Sequence, residues 1–174
     1  NDKVLNVFLV LYVDIMRSIP ILVMLIVVYS VLPYTGILLS PIVSGILTLT
    51  MIQGAYMSEV FRAGIQSIHH LEIEAALSLG LNSWQTMRYV ILPQALRVII
   101  PPLISQYLNI TKNSSLAIAV GYADITATLG GITLNQTGRA IECVLLLMLF
   151  YLTISLSISA IMNVYNKSVA LKER

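Results

Sequence analysis

Lys112 stands in an otherwise apolar stretch with Gln106, Asn109, Thr111, Asn113, Ser114 and Ser115 close by. An ammonium in hydrocarbon is expensive and usually faces a partner or a water-filled pathway. The neighbouring amides and hydroxyls offer donors and acceptors suited to a zwitterion such as an amino acid. Gln106, Asn109, Lys112, Asn113, Ser114 and Ser115 are therefore the candidates for a substrate path. Two other readings stand beside this one. Lys112 can snorkel to the outer interface or pair with Asp124 or Glu59, and the amides can bind water or adjoining helices.

The other chemistry-bearing residues point to structure. Glu59 with Arg62, and Asp14 with Arg17, are spaced to share a helix face and form intrahelical pairs. His69 and His70 have no further ligands at convincing spacing, so no metal site is expected. The single Cys143 lies in an apolar run and reads as a small buried hydrophobe. There is no GxxxxGK[ST], HExxH or GxSxG sequence, and the spacing singles out no Ser, His and Asp set. The chain is thus not expected to be an enzyme, to hydrolyse ATP itself or to need a cofactor. A net charge of +2, without a basic stripe carrying interleaved aromatics, gives no reason to expect nucleic acid.

Positioning these residues falls to membrane helices. Of 174 residues 57% are hydrophobic and only 10% charged, and the mean hydropathy is +0.87. This is an all-α membrane protein by composition. Residues Val4 to Met16, interrupted by Asn6 and Asp14, are too short to cross about 30 Å of hydrocarbon and suit an interfacial or inner-packed helix. About four spans follow, at 18–34, 41–63, 97–120 and 139–164. In the second, Gly45, Gly54, Ala55 and Ser58 allow close helix approach. In the third, Pro101-Pro102 is expected to break the helix, and the polar run after it suits a cavity wall rather than lipid. The Gly-, Thr- and Asn-rich stretch from Gly121 to Gly138 reads as an external or partly re-entrant loop. Arg62, Arg88 and Arg97, with Lys167, Lys172 and Arg174 in the tail, place the 66–96 segment and the C-terminus in the cytoplasm.

That cytoplasmic segment is too charged to be another span. Glu72 and Glu74 lie early in a helix-favouring run with Ala75, Ala76 and Leu77, and Gly80 stops it. Asn82 or Ser83 can then cap a second short helix carrying Trp84. The product is a helix, a sharp turn and a helix, with Leu79, Leu81 and Trp84 at the corner. Apolar side chains at an exposed corner are best explained by a docked partner. A helical-bundle channel or membrane scaffold without ATP coupling is the alternative, but it has no need for such an elbow.

Glu74, Ala75, Ala76 and Gly80, followed after a gap by Ile91, Leu92 and Pro93, resemble the EAA loop of ABC-importer permeases. The resemblance continues through Pro93 to Ala95, to Lys112 with Ser114, Ser115 and Leu116, to Arg17 and Pro20, and to Ala55, Tyr56, Glu59 and Arg62. Together these are similar to the polar amino-acid permeases, the histidine, glutamine and general L-amino-acid permease family. The run from Gly130 through Gly138 to Glu142 leans towards the general L-amino-acid type. Departures fall at His69 and His70, where Pro and Lys are more usual, and at Asn113 and Ser114, where Asp and Thr are. Over 1–174 the resemblance implies one permease domain with the multi-span helical bundle of type I ABC importers, and a fragment or a chain lacking the first span. It implies the translocation subunit of an ATP-driven amino-acid importer in a bacterial inner membrane. The implied partners are cytoplasmic ABC ATPase subunits, a second permease subunit, identical or different, and a periplasmic or extracellular amino-acid-binding protein. ATPase coupling then falls to Glu74, Ala75, Ala76, Gly80, Leu81 and Trp84.

Overall fold

The computed structural model describes residues 2–169, and the expectation about Lys172 and Arg174 lies outside them. Among the described residues the chain is helical with no strand. Helix α1 (Asp2–Ser18) meets α2 (Ile21–Ser30) across Ile19 and Pro20. The axes of Lys3–Ser18 and Ile21–Thr35 differ by 101°. Proline has no N–H to extend the helix, so the chain turns there. A short 3₁₀ turn (Leu32–Thr35) ends at Gly36, whose φ of 87° is a conformation that glycine reaches without strain.

Helix α3 (Pro41–Gln66) is the centre of the bundle. Its N-terminus is capped by the Ser40 hydroxyl, which accepts from the Val43 N–H. It packs against α1, α2, the long helix α6 (Leu92–Asn113) and the 3₁₀ stretch Ser114–Val120. Ser44, Thr48 and Ile52 of α3 and Ile99 of α6 are fully buried. Small side chains let backbones approach where lipid supplies no hydrophobic drive between helices. Gly45 and Gly64 act this way: a Cβ on Gly45 would meet Ala117, and one on Gly64 would overlap Ile99.

Between α3 and α6 lie α4 (His70–Ser78), α5 (Ser83–Thr86) and a single wide π-type turn, Met87–Ile91. Beyond the 3₁₀ stretch come α7 (Ile125–Ala127), a second π-type turn (Thr128–Thr133), α8 (Leu134–Thr137) and α9 (Ala140–Val169). Helix α9 leans on α6, with Cys143 buried and most of its length exposed.

Ser83–Val120 and Ala140–Asn166 are long and apolar enough to cross a membrane, and the bent pair α1 and α2 makes a third candidate if taken as one span. Helix α3 is long enough, but Ser44, Thr48 and Gln53, all turned inward, make it less apolar.

Several local expectations are corrected. Pro101-Pro102 does not break the helix; α6 runs through both. Proline removes only its own N–H bond and disturbs the preceding turn, and in that turn Ile99 and Ile100 are buried in the bundle, which holds the helix together. The second arm of the elbow does not stop as a short separate helix: α5 runs on through the π-type turn, α6 and the 3₁₀ stretch as one unbroken helical run of 38 residues, Ser83–Val120. The stretch from Gly121 to Gly138, expected as an external or partly re-entrant loop, carries helical structure of its own: Asp124 caps α7 by accepting from the Ala127 N–H, and helical turns continue to Thr137.

Candidate coupling elbow and polar path

The elbow is built from caps. His69 opens α4 by accepting the Leu71 N–H on Nδ1 at 3.3 Å. The helix closes at Gly80 with φ 81°. The Gly80 N–H bonds to the Leu77 carbonyl at 2.9 Å and the Leu81 N–H to the Ala76 carbonyl at 3.2 Å. This pair of bonds is the Schellman closure, which needs a left-handed residue at the position of Gly80. Asn82 then starts the second arm. Its Oδ1 accepts the Gln85 N–H at 2.9 Å while Gln85 Oε1 accepts the Asn82 N–H at 3.0 Å, a reciprocal capping box.

The two arms differ between inside and outside. Ala76, Thr86 and Ile91 are buried where α4 meets the second arm. Leu79 is 83% exposed and Trp84 72%. Leu81, expected beside them, is half-buried. Leu71, Leu77 and Tyr89, which the sequence reading did not single out, are exposed on the elbow as well. Ala75 and Glu74 face outward, and Glu74 has no ion pair among the described residues.

The polar-path candidates do not form one surface. Gln106 turns towards α3, where it accepts from Gln53 Nε2 on its Oε1 at 2.6 Å. Gln53 is buried, and the sequence reading missed it because an isolated amide in an apolar helix does not announce its partner. Lys112 and Ser115 instead line a cleft of about 760 Å³ beside α9, with Thr126, Tyr151 and Ser155 among an otherwise apolar lining. The Thr126 and Tyr151 hydroxyls share a hydrogen bond at 3.0 Å. Asn109 is exposed and Asn113 half-buried. The Ser114 and Ser115 hydroxyls donate to the carbonyls of Thr111 and Lys112, so both serve their own helix. Lys112 pairs with neither expected partner among the described residues: Glu59 is held by two arginines, and Asp124 Oδ1 accepts the Ala127 N–H.

The Asp14 to Arg17 pair is also corrected. Arg17 Nη1 reaches across to Glu59 Oε1 on α3 at 3.8 Å, and Asp14 has no ion pair among the described residues. The pairing of Glu59 with Arg62 is present, with Nε donating to Oε2 at 2.9 Å.

The family described as "Binding-protein-dependent transport system inner membrane component" matches residues 1–171. The chain belongs to this family. Among relatives of this inner membrane component, the glutamate/glutamine/aspartate/asparagine transport system permease protein BztB of Rhodobacter capsulatus is 65% identical over 74% of the chain and 30% of the relative. The general L-amino acid transport system permease protein AapQ of Rhizobium johnstonii is 48% identical over 74% of the chain and 32% of the relative. The chain thus spans about a third of the length of these two. It spans 70% of the glutamine transport system permease protein GlnP of Escherichia coli, which is 36% identical over 87% of the chain. A crystal structure of an amino acid ABC transporter with histidines is similar with a TM-score of 0.83 and 31% identity, over 90% of this chain and 73% of that one. The all-α fold of this inner membrane component is therefore that of an amino-acid ABC transporter permease.

Proposed function

We propose that this chain is the translocation subunit of an ATP-driven amino-acid importer. One observation carries the reading: a capped helix–Gly80–helix elbow with exposed Leu79 and Trp84 is continuous with a membrane-length helix. A corner of this kind offers a few apolar anchors to a partner groove, and a few anchors supply most of an interface's energy. The partners are two cytoplasmic ABC ATPase subunits seated on the elbows, a second permease subunit and a periplasmic or extracellular amino-acid-binding protein. ATP hydrolysis belongs to the ATPases.

Four crossings, through 18–34, 41–63, 97–120 and 139–164, leave the elbow and the C-terminus in the cytoplasm, in keeping with the basic residues Arg62, Arg88 and Arg97 around the elbow. Glu74, Ala75, Ala76, Gly80, Leu81 and Trp84 form the coupling element. Asn109, Lys112 and Asn113 face the path, since an ammonium or a free amide in hydrocarbon is costly, whereas the hydroxyls of Ser114 and Ser115 are satisfied within their own helix. Closure of the ATPases draws the elbows together and switches the permease pair between inward-open and outward-open states. The names of the relatives support polar L-amino acids such as glutamate, glutamine, aspartate and asparagine as substrates.

The test is reconstitution of the chain with its ATPase and binding-protein partners in vesicles, followed by uptake of radiolabelled L-glutamate, L-glutamine, L-aspartate and L-asparagine. ATP-dependent accumulation that requires the binding protein is the expected result. Passive, ATP-independent flux would overturn the reading.

A further inference from the structure

Arg17 sits at the end of α1, just before the 101° bend, and α3 grips it at three points. Its guanidinium lies over the Tyr56 ring, 5.6 Å from the centroid. The Tyr56 hydroxyl donates to the Arg17 carbonyl at 3.3 Å. Its Nη1 is 3.8 Å from Glu59 Oε1. Asp14, one turn back on α1, lines the same cleft and has no ion pair among the described residues, so the charge of Arg17 is drawn between helices rather than along its own.

Glu59 passes the connection on. Both of its oxygens accept from Arg62, through Nε at 2.9 Å and through Nη2, in the fork geometry that fixes a guanidinium in place. Arg62 Nη1 then donates to Gln66 Oε1 at 2.7 Å. Gln66 is the last residue of α3, and Ser67, Ile68 and the capping His69 follow before α4 begins. The side-chain chain therefore runs from the α1–α2 bend, through Glu59 and Arg62, to the end of α3 that bears the first arm of the elbow.

We infer that Glu59 is a positioning residue that ties the bent α1–α2 pair to the elbow end of α3, so that displacing the elbow also moves the bend. The idea rests on the importer reading. Energetic coupling between distant elements needs a physical linkage with more than one arrangement. A cleft of about 490 Å³ between α1 and α3, lined by Asn6, Asp14, Arg17, Glu59 and Arg62, leaves the pair room to separate when the linkage is cut.

The experiment uses Glu59→Gln, Arg17→Gln, the double variant and the conservative Arg17→Lys, each reconstituted with the ATPase and binding-protein partners. Uptake of the four labelled amino acids and ATP hydrolysis are measured together. Glu59→Gln and Arg17→Gln should each raise the ATP spent per amino acid moved by about tenfold, within the usual range of coupling between sites. The double variant should be no worse than either single, and Arg17→Lys should stay near the wild type. Parallel loss of uptake and hydrolysis, no change in the ratio, or additive singles would overturn the inference. A wild type that fails to accumulate any of the four amino acids would count against the importer reading instead. A second measurement is independent of transport: the distance between spin labels at Phe8 and Phe61 in a Cys143→Ala background of the purified chain. Glu59→Gln should lengthen or broaden it, and an unchanged distribution would also overturn the linkage.

Discussion

Gly64 of α3 lies against Ile99 of α6 so closely that a Cβ on Gly64 would fall 2.2 Å from Ile99 Cγ1 and 2.9 Å from Cδ1. Ile99 is itself fully buried and has nowhere to retreat. Gly64→Ala should therefore force α3 and α6 apart and cost about 1–3 kcal/mol. Gly54→Ala, with nothing within 4 Å of the added methyl group, should be near neutral. Thermal unfolding of both variants in detergent is the comparison. Equal midpoints would mean that the helices slide past each other at little cost.

The Gln53 to Gln106 hydrogen bond predicts a different pattern. Replacing Gln53 alone by Leu leaves Gln106 without its α3 donor, while replacing both by Leu removes the demand altogether. Interhelical polar pairs in membranes are worth about 0.6 kcal/mol on average and at most roughly 1.7. A double-mutant cycle on stability should give a coupling energy in that range. A value near zero would indicate that water substitutes freely for either amide.

The local chemistry of the elbow was legible in the sequence, because Gly80 and Asn82 act through bonds to their own neighbours in the chain. Family resemblance and hydropathy likewise pointed to the helical membrane fold. Partners far apart in sequence were not legible. Arg17 invited pairing with Asp14, one turn away, yet chose Glu59 on another helix, and Gln53 gave no sign that Gln106 would meet it. The proline pair misled for a related reason. Its cost falls within one turn, whereas the packing that keeps α6 continuous comes from α3, far away in the chain.

The turn at Gly80 has open space around it, so a substitution there is strained by conformation alone. Gly80→Val should cost roughly 1–3 kcal/mol at φ 81° without touching the membrane helices. Glu74→Ala removes an exposed carboxylate that has no ion-pair partner among the described residues. Both variants should insert normally, yet lose substrate-stimulated ATPase activity and uptake in vesicles. Co-purification of the ATPase subunit reports whether docking itself has failed. Normal uptake by either variant would refute the elbow as the coupling element.

Access to the polar residues at the end of α6 and the start of the 3₁₀ stretch separates a path from a lipid-facing surface. Cysteines at Asn109, Asn113 and Ser114 should react with water-soluble maleimides in at least one transport state. Reaction only with lipid-soluble reagents in every state would show that the cluster lines no aqueous route. Because Gln106 is committed to Gln53, a cysteine there should react more slowly than one at Asn109.

The 38-residue rod from Ser83 to Val120 is roughly 57 Å long at 1.5 Å per residue, nearly twice the thickness of the hydrocarbon layer. A helical run of that length converts angle into distance when it moves as one body: a tilt of about 10° about one end sweeps the other through roughly 10 Å. Trp84 rides at one tip, and Lys112 sits towards the far one. Under the proposed coupling role, a small rotation at the capped corner would reach Lys112 with no element needing to stretch, and a flexible joint inserted between Trp84 and Lys112 should dissipate it.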